Sequence, residues 1–267
     1  MIHYRHHEFG IEKIEEGRST FIAPEPDNAA WRDYLTWTSK GIAAIEQPAR
    51  PFFHQVQAPK RLLIIGAGTY GRELYWMSRT ARGAGIDWTV EGFLSDVPDS
   101  LDTFPGFPPI VGPTDYAPGE HDVFICAIGD PGDRDEVTRR IRARGGRFLN
   151  LIQPSALISG DVELGEGVII ESFVGIGTNT RIGDFCSVLG HVNIGHDVTI
   201  GNCVQLSPFA CILGRADIGD NVLIGSHAVI FPGIKVGTGA TVGAGAIAIS
   251  HVAPGTTVFG NPAKRLG

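Results

Sequence analysis

The chain has 267 residues, 43% of them apolar, enough for two ordinary domains each with its own core. Its 22 Lys and Arg against 29 Asp and Glu give a formal charge of -7, so no global basic field exists to gather nucleic acid or an anionic membrane, although local phosphate sites stay open. The first residues, Met-Ile-His-Tyr-Arg-His-His-Glu, lack the apolar core of a secretory signal, and no window approaches the roughly 18 uninterrupted apolar residues of a membrane span, so a cytoplasmic protein is expected.

Residues 1–60 carry no repeat and no recognisable site, and are read as an extension whose role the sequence leaves open. Within them Phe21 to Asn28 has turn composition, Asn28 to Glu46 is a candidate helix with Trp31, Tyr34 and Trp37 three residues apart, and Gln47 to Pro59 is a proline-containing linker. An aromatic stripe at that spacing reads as packing rather than as a ligand box.

Residues 61–150 read as a small Rossmann-like parallel α/β unit. An apolar strand, Arg61 to Ile65, runs into Gly66-Ala67-Gly68-Thr69-Tyr70-Gly71, followed by helical composition over Arg72 to Arg82. Further strands are expected over Trp88 to Leu94, ending at Ser95-Asp96, and over Asp122 to Ile128, ending at Gly129-Asp130; Asp133 to Arg144 is an amphipathic helix. Strand, glycine turn, helix, strand and acidic residue is the nucleotide-binding order: amides at the helix start hold phosphate, and Asp96, 25 residues beyond Gly71, can reach a sugar or base hydroxyl. A tight packing turn is the plainer alternative. A whole dinucleotide fits poorly, because roughly 90 residues make only half of a two-lobed fold.

From Ile152 the chain places an aliphatic residue at every sixth position through Val242, sixteen in succession, a run that chance produces with odds on the order of one in a billion. The residue four further on is small or β-branched, as at Val162, Val168, Thr180, Cys186 and Ala210. One large and one small inward position per six residues describe a narrow tube, and the glycine that often follows the aliphatic residue, as at Gly177, Gly195 and Gly225, is expected where the backbone turns a corner. Departures from glycine recur every 18 residues, at Leu213, Phe231 and Ile249, so three hexapeptides make one coil of a triangular prism. Residues 151–267 are therefore expected to form a left-handed parallel β-helix in which positions 18 apart stack at about 4.8 Å. One such column is Phe173, His191, Phe209, His227; another is Thr178, His196, Gly214, Pro232. Cys126, Cys186, Cys203 and Cys211 show no metal-ligand spacing and lie in apolar strands, so they read as reduced core residues and no metal is expected.

Such a prism suits acyl transfer, which needs a base to take a proton from the attacking amine or hydroxyl, and histidine matches that task at neutral pH. Of His191, His196, His227 and His251, His196 stands out: Asp197 follows it, and Gly214 stacks above it and leaves room for a ligand. Neighbours in an extended strand face opposite ways, so an acid from another subunit remains an alternative partner. His191 and His227 share a column with phenylalanines and read as packing or intersubunit residues.

With these residues in view, the sequence resembles the sugar N-acetyltransferases of the sialic-acid O-acetyltransferase and bacillosamine acetyltransferase group. The resemblance rests on Leu63-Ile64-Ile65-Gly66-Ala67-Gly68, Gly92-Phe93-Leu94-Ser95-Asp96, Val123 to Gly129, Gly195-His196-Asp197-Val198-Thr199-Ile200-Gly201 and Val258-Phe259-Gly260-Asn261-Pro262-Ala263-Lys264, and spans 61–267. It implies a homotrimer with acetyl-CoA in the groove between neighbouring β-helices, near Gly214, Gly225, Ala244 and Lys264. It also implies His196 as general base with Asp197 as its acid partner, and Gly66, Gly68, Tyr70, Asp96 and Gly129 facing a nucleotide-sugar. Two residues depart from the family pattern. Tyr70 stands where relatives often carry histidine, and Gln205 stands where some carry a second histidine near the acetyl group, which would leave thioester polarisation to an amide.

The reading is acetyl transfer from acetyl-CoA to the amine of a nucleotide-linked amino sugar, by direct attack without an acyl-enzyme. Its rivals are O-acetylation of a sialic acid or another small hydroxyl acceptor, a nicotinamide-dependent oxidoreductase, and a non-catalytic trimeric scaffold.

Overall fold

The computed structural model describes residues 2–7, 10–15, 18–22, 60–81 and 88–266, which fall in two compact units, Met1–Val56 and Gln57–Gly267. In the first, β1 (Ile2–His7), β2 (Gly10–Glu15) and β3 (Arg18–Ile22) form an antiparallel meander with Ile2 opposite Glu15 and Ile11 opposite Ile22. The sequence reading placed no strand here, because His, Arg, Lys and Glu interrupt the apolar residues and no run stands out. Phe21 and Ile22, read as the start of a turn, complete β3. The remainder of that turn, the helix over 28–46 and the linker over 47–59 lie outside the described residues.

The second unit opens with β4 (Lys60–Ile65), α1 (Thr69–Thr80), β5 (Trp88–Leu94), β6 (Ile110–Gly112), β7 (Asp122–Cys126), α2 (Pro131–Ala143) and β8 (Arg147–Phe148). The five strands form one parallel sheet in the order β6-β5-β4-β7-β8. Leu62, Leu63, Ile64 and Ile65 of the central strand are fully buried, as a strand covered on both faces requires. Strand β6 escaped the sequence reading because only three residues separate Pro109 from Pro113. Helix α1 begins earlier than expected, at Thr69, since the end of the glycine turn is already helical.

Two-residue strands then follow every six residues, from Leu151–Ile152 to Ile247–Ala248, and pair in parallel with partners 18 residues away to make three flat sheets. The result is a triangular β-solenoid. The second residue of each strand points inward, and Ile170, Ile176, Ile182, Ile194, Ile200 and their repeats form one continuous core with Val168, Val174, Val198 and the other small residues.

The corners correct one expectation. The glycines after the aliphatic residues are not in the left-handed region; that conformation falls two residues later, at Phe173, Asn179, Phe185, His191, Asp197, Cys203, Phe209, Arg215, Asn221 and His227, with φ from 54° to 63°. What the corner glycines provide is close approach: a Cβ on Gly177 would lie 2.8 Å from the backbone of Gly195, and one on Gly195 would lie 2.8 Å from Gly214 N. Bulkier residues fit only where the next coil leaves room.

The outward residues give each face its own character. The first face carries Leu151, Ile169, Ser187 and Gln205 and is covered by the α/β unit: Leu151 and Ile169 join the core under α1, and Phe185 and Cys203 join the core under α2. Arg142 ties α2 to this side through Glu166 (2.6 Å) and Asp184 (2.8 Å). The second face carries Leu157, Gly175, Asn193, Cys211, Val229 and Ile247, with no charge; the third carries Glu163, Arg181, Thr199, Asp217 and Lys235. At the far end, residues 250–266 run along all three sheets. Val252 bonds to the backbone of Lys235 and Gly237, β26 (Thr257–Phe259) pairs with Thr241–Val242, and Gly260 and Ala263 bond to Ile247. An antiparallel strand β27 (Lys264–Arg265) closes the first sheet.

Candidate active site

His196 sits on the corner between the uncharged and the charged face, with its side chain 57% exposed. Its Nδ1 lies 2.6 Å from Asp197 Oδ2. The left-handed backbone at Asp197 (φ 57°) breaks the alternation of an extended strand and turns this carboxylate back onto the preceding imidazole. Of the two sources left open for an acid beside His196, Asp197 of the same chain is the one found in contact with it. In the tautomer in which Nδ1 donates to this carboxylate, Nε2 carries the lone pair. The Asp197 carboxyl is held below its usual range, first by the hydrogen bond to His196 and then by one from Asn179.

Gly214 does stack on His196, but the space is not vacant. The imidazole itself fills it, with Nε2 only 2.7 Å from where a Cβ on Gly214 would stand. The glycine fixes the height of the ring; any ligand must approach from the side. The phenylalanine and histidine column forms as expected on the opposite edge of the uncharged face: centroids of Phe173, His191, Phe209 and His227 are 5.0, 4.7 and 4.9 Å apart, and the upper rings are nearly parallel. Gly225 and Ala244 lie on that same far edge in direct contact, a Cβ on Gly225 falling 2.5 Å from Ala244 N. One chain thus carries His196 and Gly214 on one edge of the uncharged face and Gly225 and Ala244 on the other. Lys264 lies exposed in β27.

The glycine turn opens toward free space. Gly66 needs its φ of 100°, Gly71 packs its Cα against Gly66 O, and nothing lies within 4 Å of a Cβ on Gly68 or Gly129. Gly68 is the N-cap of α1, no side chain caps that end, and its first turn holds no acid, so amides and the positive end of the helix dipole remain available to an anion. By contrast, Asp130 caps α2 through Gly132 N and Asp133 N. Asp96 already accepts from Thr114 N (2.9 Å) and Thr114 Oγ1 (2.6 Å), contacts that lower its pKa. Tyr70 turns its hydroxyl away from the opening. That hydroxyl is buried beside Ser187, Arg134 and Glu171 without a well-formed hydrogen bond, although the residue as a whole is half-buried, and its burial pushes the ionisation above that of a free phenol.

Gln205 is buried on the covered face, where Oε1 accepts from Arg134 Nη2 at 3.1 Å. That places it away from the His196 corner, and the expectation that its amide polarises a thioester does not hold within this chain. Arg134, 1% exposed, also donates to Ser187 and to Gly129 O, and so joins the turn after β7 to the prism. The sequence reading missed it, although an arginine among the buried positions Pro131, Val137, Thr138 and Ile141 of one helix face was a visible signal. Among the described residues no three His, Cys, Asp or Glu side chains gather to hold a metal ion, and no helix is long and apolar enough to cross a membrane.

A family model described as the hexapeptide repeat of succinyl-transferase matches residues 215–247. The GDP-perosamine N-acetyltransferase of Escherichia coli O157:H7 is 33% identical over 212 residues, covering 76% of this chain and 95% of that protein. The chain belongs to the hexapeptide-repeat sugar N-acetyltransferases. Two solved members of this group agree in fold. PerB from Caulobacter crescentus, in complex with CoA and GDP-perosamine, is 28% identical with a TM-score of 0.71, covering 79% of this chain and 99% of that one. The acetyltransferase domain of PglB from Neisseria gonorrhoeae is also 28% identical at a TM-score of 0.71, covering 78% and 100%. Among the described residues, the His196 corner and the uncapped glycine turn are two exposed places that offer chemistry of the kind this family needs.

Proposed function

We propose that the protein transfers the acetyl group of acetyl-CoA to the amine of a nucleotide-linked amino sugar. The observation that carries this reading is the His196–Asp197 pair, with Nδ1 anchored and Nε2 free. In the proposed step the amine nitrogen attacks the thioester carbonyl while its proton passes to His196 Nε2. Collapse of the tetrahedral adduct breaks the C–S bond, and the CoA thiolate leaves and takes up that proton. Asp197 stabilises the imidazolium formed in between. Since the related enzymes are GDP-perosamine N-acetyltransferases, a guanosine-linked amino sugar is the first acceptor to try.

The working assembly is a homotrimer. An uncharged face bordered by exposed Phe173 and Phe209 on one edge and Phe231 and Ile249 on the other suits burial against a second copy, whereas the charged face suits water. Packing of this kind brings the His196 and Gly214 edge of one β-helix toward the Gly225 and Ala244 edge of its neighbour, which forms a groove for acetyl-CoA. In this reading residues 61–150 are the Rossmann-like domain, holding the nucleotide at Gly66, Gly68, Asp96 and Gly129, and residues 151–267 are the left-handed β-helix, with the reaction run in the cytoplasm. Release of the CoA thiol, measured across nucleotide amino sugars and their hydroxyl counterparts, tests the proposal. Preference for hydroxyl acceptors would replace it with O-acetylation, and undiminished transfer by a folded His196→Ala variant would remove the mechanism.

A further inference from the structure

The hydrogen bonds around Asp197 continue beyond the histidine. One coil below it on the same corner lies Asn179, also left-handed (φ 54°), whose Nδ2 donates to Asp197 Oδ1 at 2.6 Å. A carboxylate only accepts, so this orientation of the amide is dictated by its partner. Below Asn179, Asp161 Oδ2 accepts from Asn179 N (3.0 Å) and from Thr178 Oγ1 (2.6 Å), and Asp197 N donates to Thr178 O (3.0 Å). The two oxygens of Asp197 are thus divided: one is held from below by an amide, the other faces the imidazole.

We infer that Asn179 is a positioning residue for the acetyl transfer, fixing the Asp197 carboxylate so that it holds His196 with Nε2 turned to the reacting amine. The inference rests on the function proposed above. Backbone preference alone does not explain an asparagine at this position, since other left-handed corners carry Phe, Cys, Arg and His. Its chemistry does. A neutral amide orients the carboxylate by hydrogen bonding and adds no counter-charge, so the negative charge of Asp197 remains available to the imidazolium that forms during transfer. A lysine or arginine in its place would supply a donor and also cancel that charge. Other charged groups on this corner are Arg215 above, whose cation favours the Asp197 carboxylate, and Asp161 below, whose own carboxyl feels the charge of Asp197.

Two variants separate positioning from simple corner filling. Asn179→Gly removes the amide at a site whose left-handed backbone glycine adopts without strain. Asn179→Asp keeps size and conformation but sets a second acceptor and charge against Asp197. Both are assayed for CoA thiol release with acetyl-CoA and a nucleotide amino sugar between about pH 5.5 and 9, beside wild type and His196→Ala. Asn179→Gly is expected to lower kcat about tenfold with both KM values within about twofold, since the lost contact orients a catalytic group rather than binding substrate. Asn179→Asp is expected to move the acidic limb of the kcat/KM profile to higher pH by roughly half a unit, because added negative charge favours the protonated base. Wild-type kcat and profile in both variants, with His196→Ala inactive, would overturn the role of Asn179 and leave the function standing. An active His196→Ala would remove the proposed base and this inference with it, whereas absence of thiol release by wild type would remove the function.

Discussion

Gly214→Ala separates stability from catalysis at a single atom. The new methyl group would stand 2.7 Å from His196 Nε2, 2.9 Å from Cε1 and 3.1 Å from Cδ2, against an ordinary contact of about 3.5 Å. The ring must therefore withdraw by roughly 0.8 Å, and it can, because its side chain is more than half exposed. Gly214 is not in the left-handed region, so alanine adopts its backbone without strain. Such a replacement raises stability by about 0.4–1 kcal/mol through the unfolded chain. Displacement of a reacting group by close to 1 Å costs on the order of 100-fold in rate. The expected result is a Tm equal to or above wild type together with a kcat near one hundredth of it, read by thermal melting and by CoA thiol release. Wild-type kcat in a folded Gly214→Ala protein would refute the claim that Gly214 sets the position of the base. Gly195→Ala is the control: its methyl would meet the backbone of Gly214, which cannot withdraw, so stability should fall by about 1–3 kcal/mol.

Three further outcomes are expected. Arg134→Met should lower the free energy of unfolding by about 2–4 kcal/mol in denaturant titration, because Ser187, Gln205 and the Gly129 carbonyl lose a buried charged donor; an unchanged midpoint would show that the junction holds without it. Burial raises the pKa of Glu171 above its ordinary 4.5, so the folded state binds its proton more tightly than the unfolded chain, and stability is lost as pH rises from the ordinary value through the raised one. Glu171→Gln should accordingly raise Tm at pH 7 and leave it unchanged below about pH 4, and equal effects at both pH values would contradict the assignment. Val229→Asp places a charge at the centre of the uncharged face and should give folded monomers with little transfer activity in sedimentation and thiol-release measurements; an intact trimer would mean that another face mediates assembly.

The prism was legible because its period is both short and unbroken: the inward residues from Ile170 to Val242 had to be apolar to fill a tube too narrow for anything else. Stacking by 18 likewise places the rings of the aromatic column together and pairs His196 with Gly214. Details decided by backbone conformation were not legible. The sequence shows glycine at the corners but not that left-handed φ values fall two residues later, and that offset is what folds Asp197 onto His196 and Asn179 beneath Asp197. Asn179 was within reach by stepping down one coil from Asp197. The partners of Arg134 and the burial of the Tyr70 hydroxyl were not, since they depend on how the α/β unit lies on the prism, although the arginine itself stood out on the apolar face of its helix.

The tail over 250–266 has a consequence for solubility. A solenoid ends in three rows of unpaired backbone groups, each a template on which another chain can add strands. Here Val252, β26 and the turn through Gly260 and Ala263 each occupy one of those rows, and the last strand along the first sheet is Lys264–Arg265, exposed and charged. Loss of the tail would expose every row at once and favour end-to-end fibres, so the segment that closes the fold also keeps association to the sideways contacts a catalytic assembly can use.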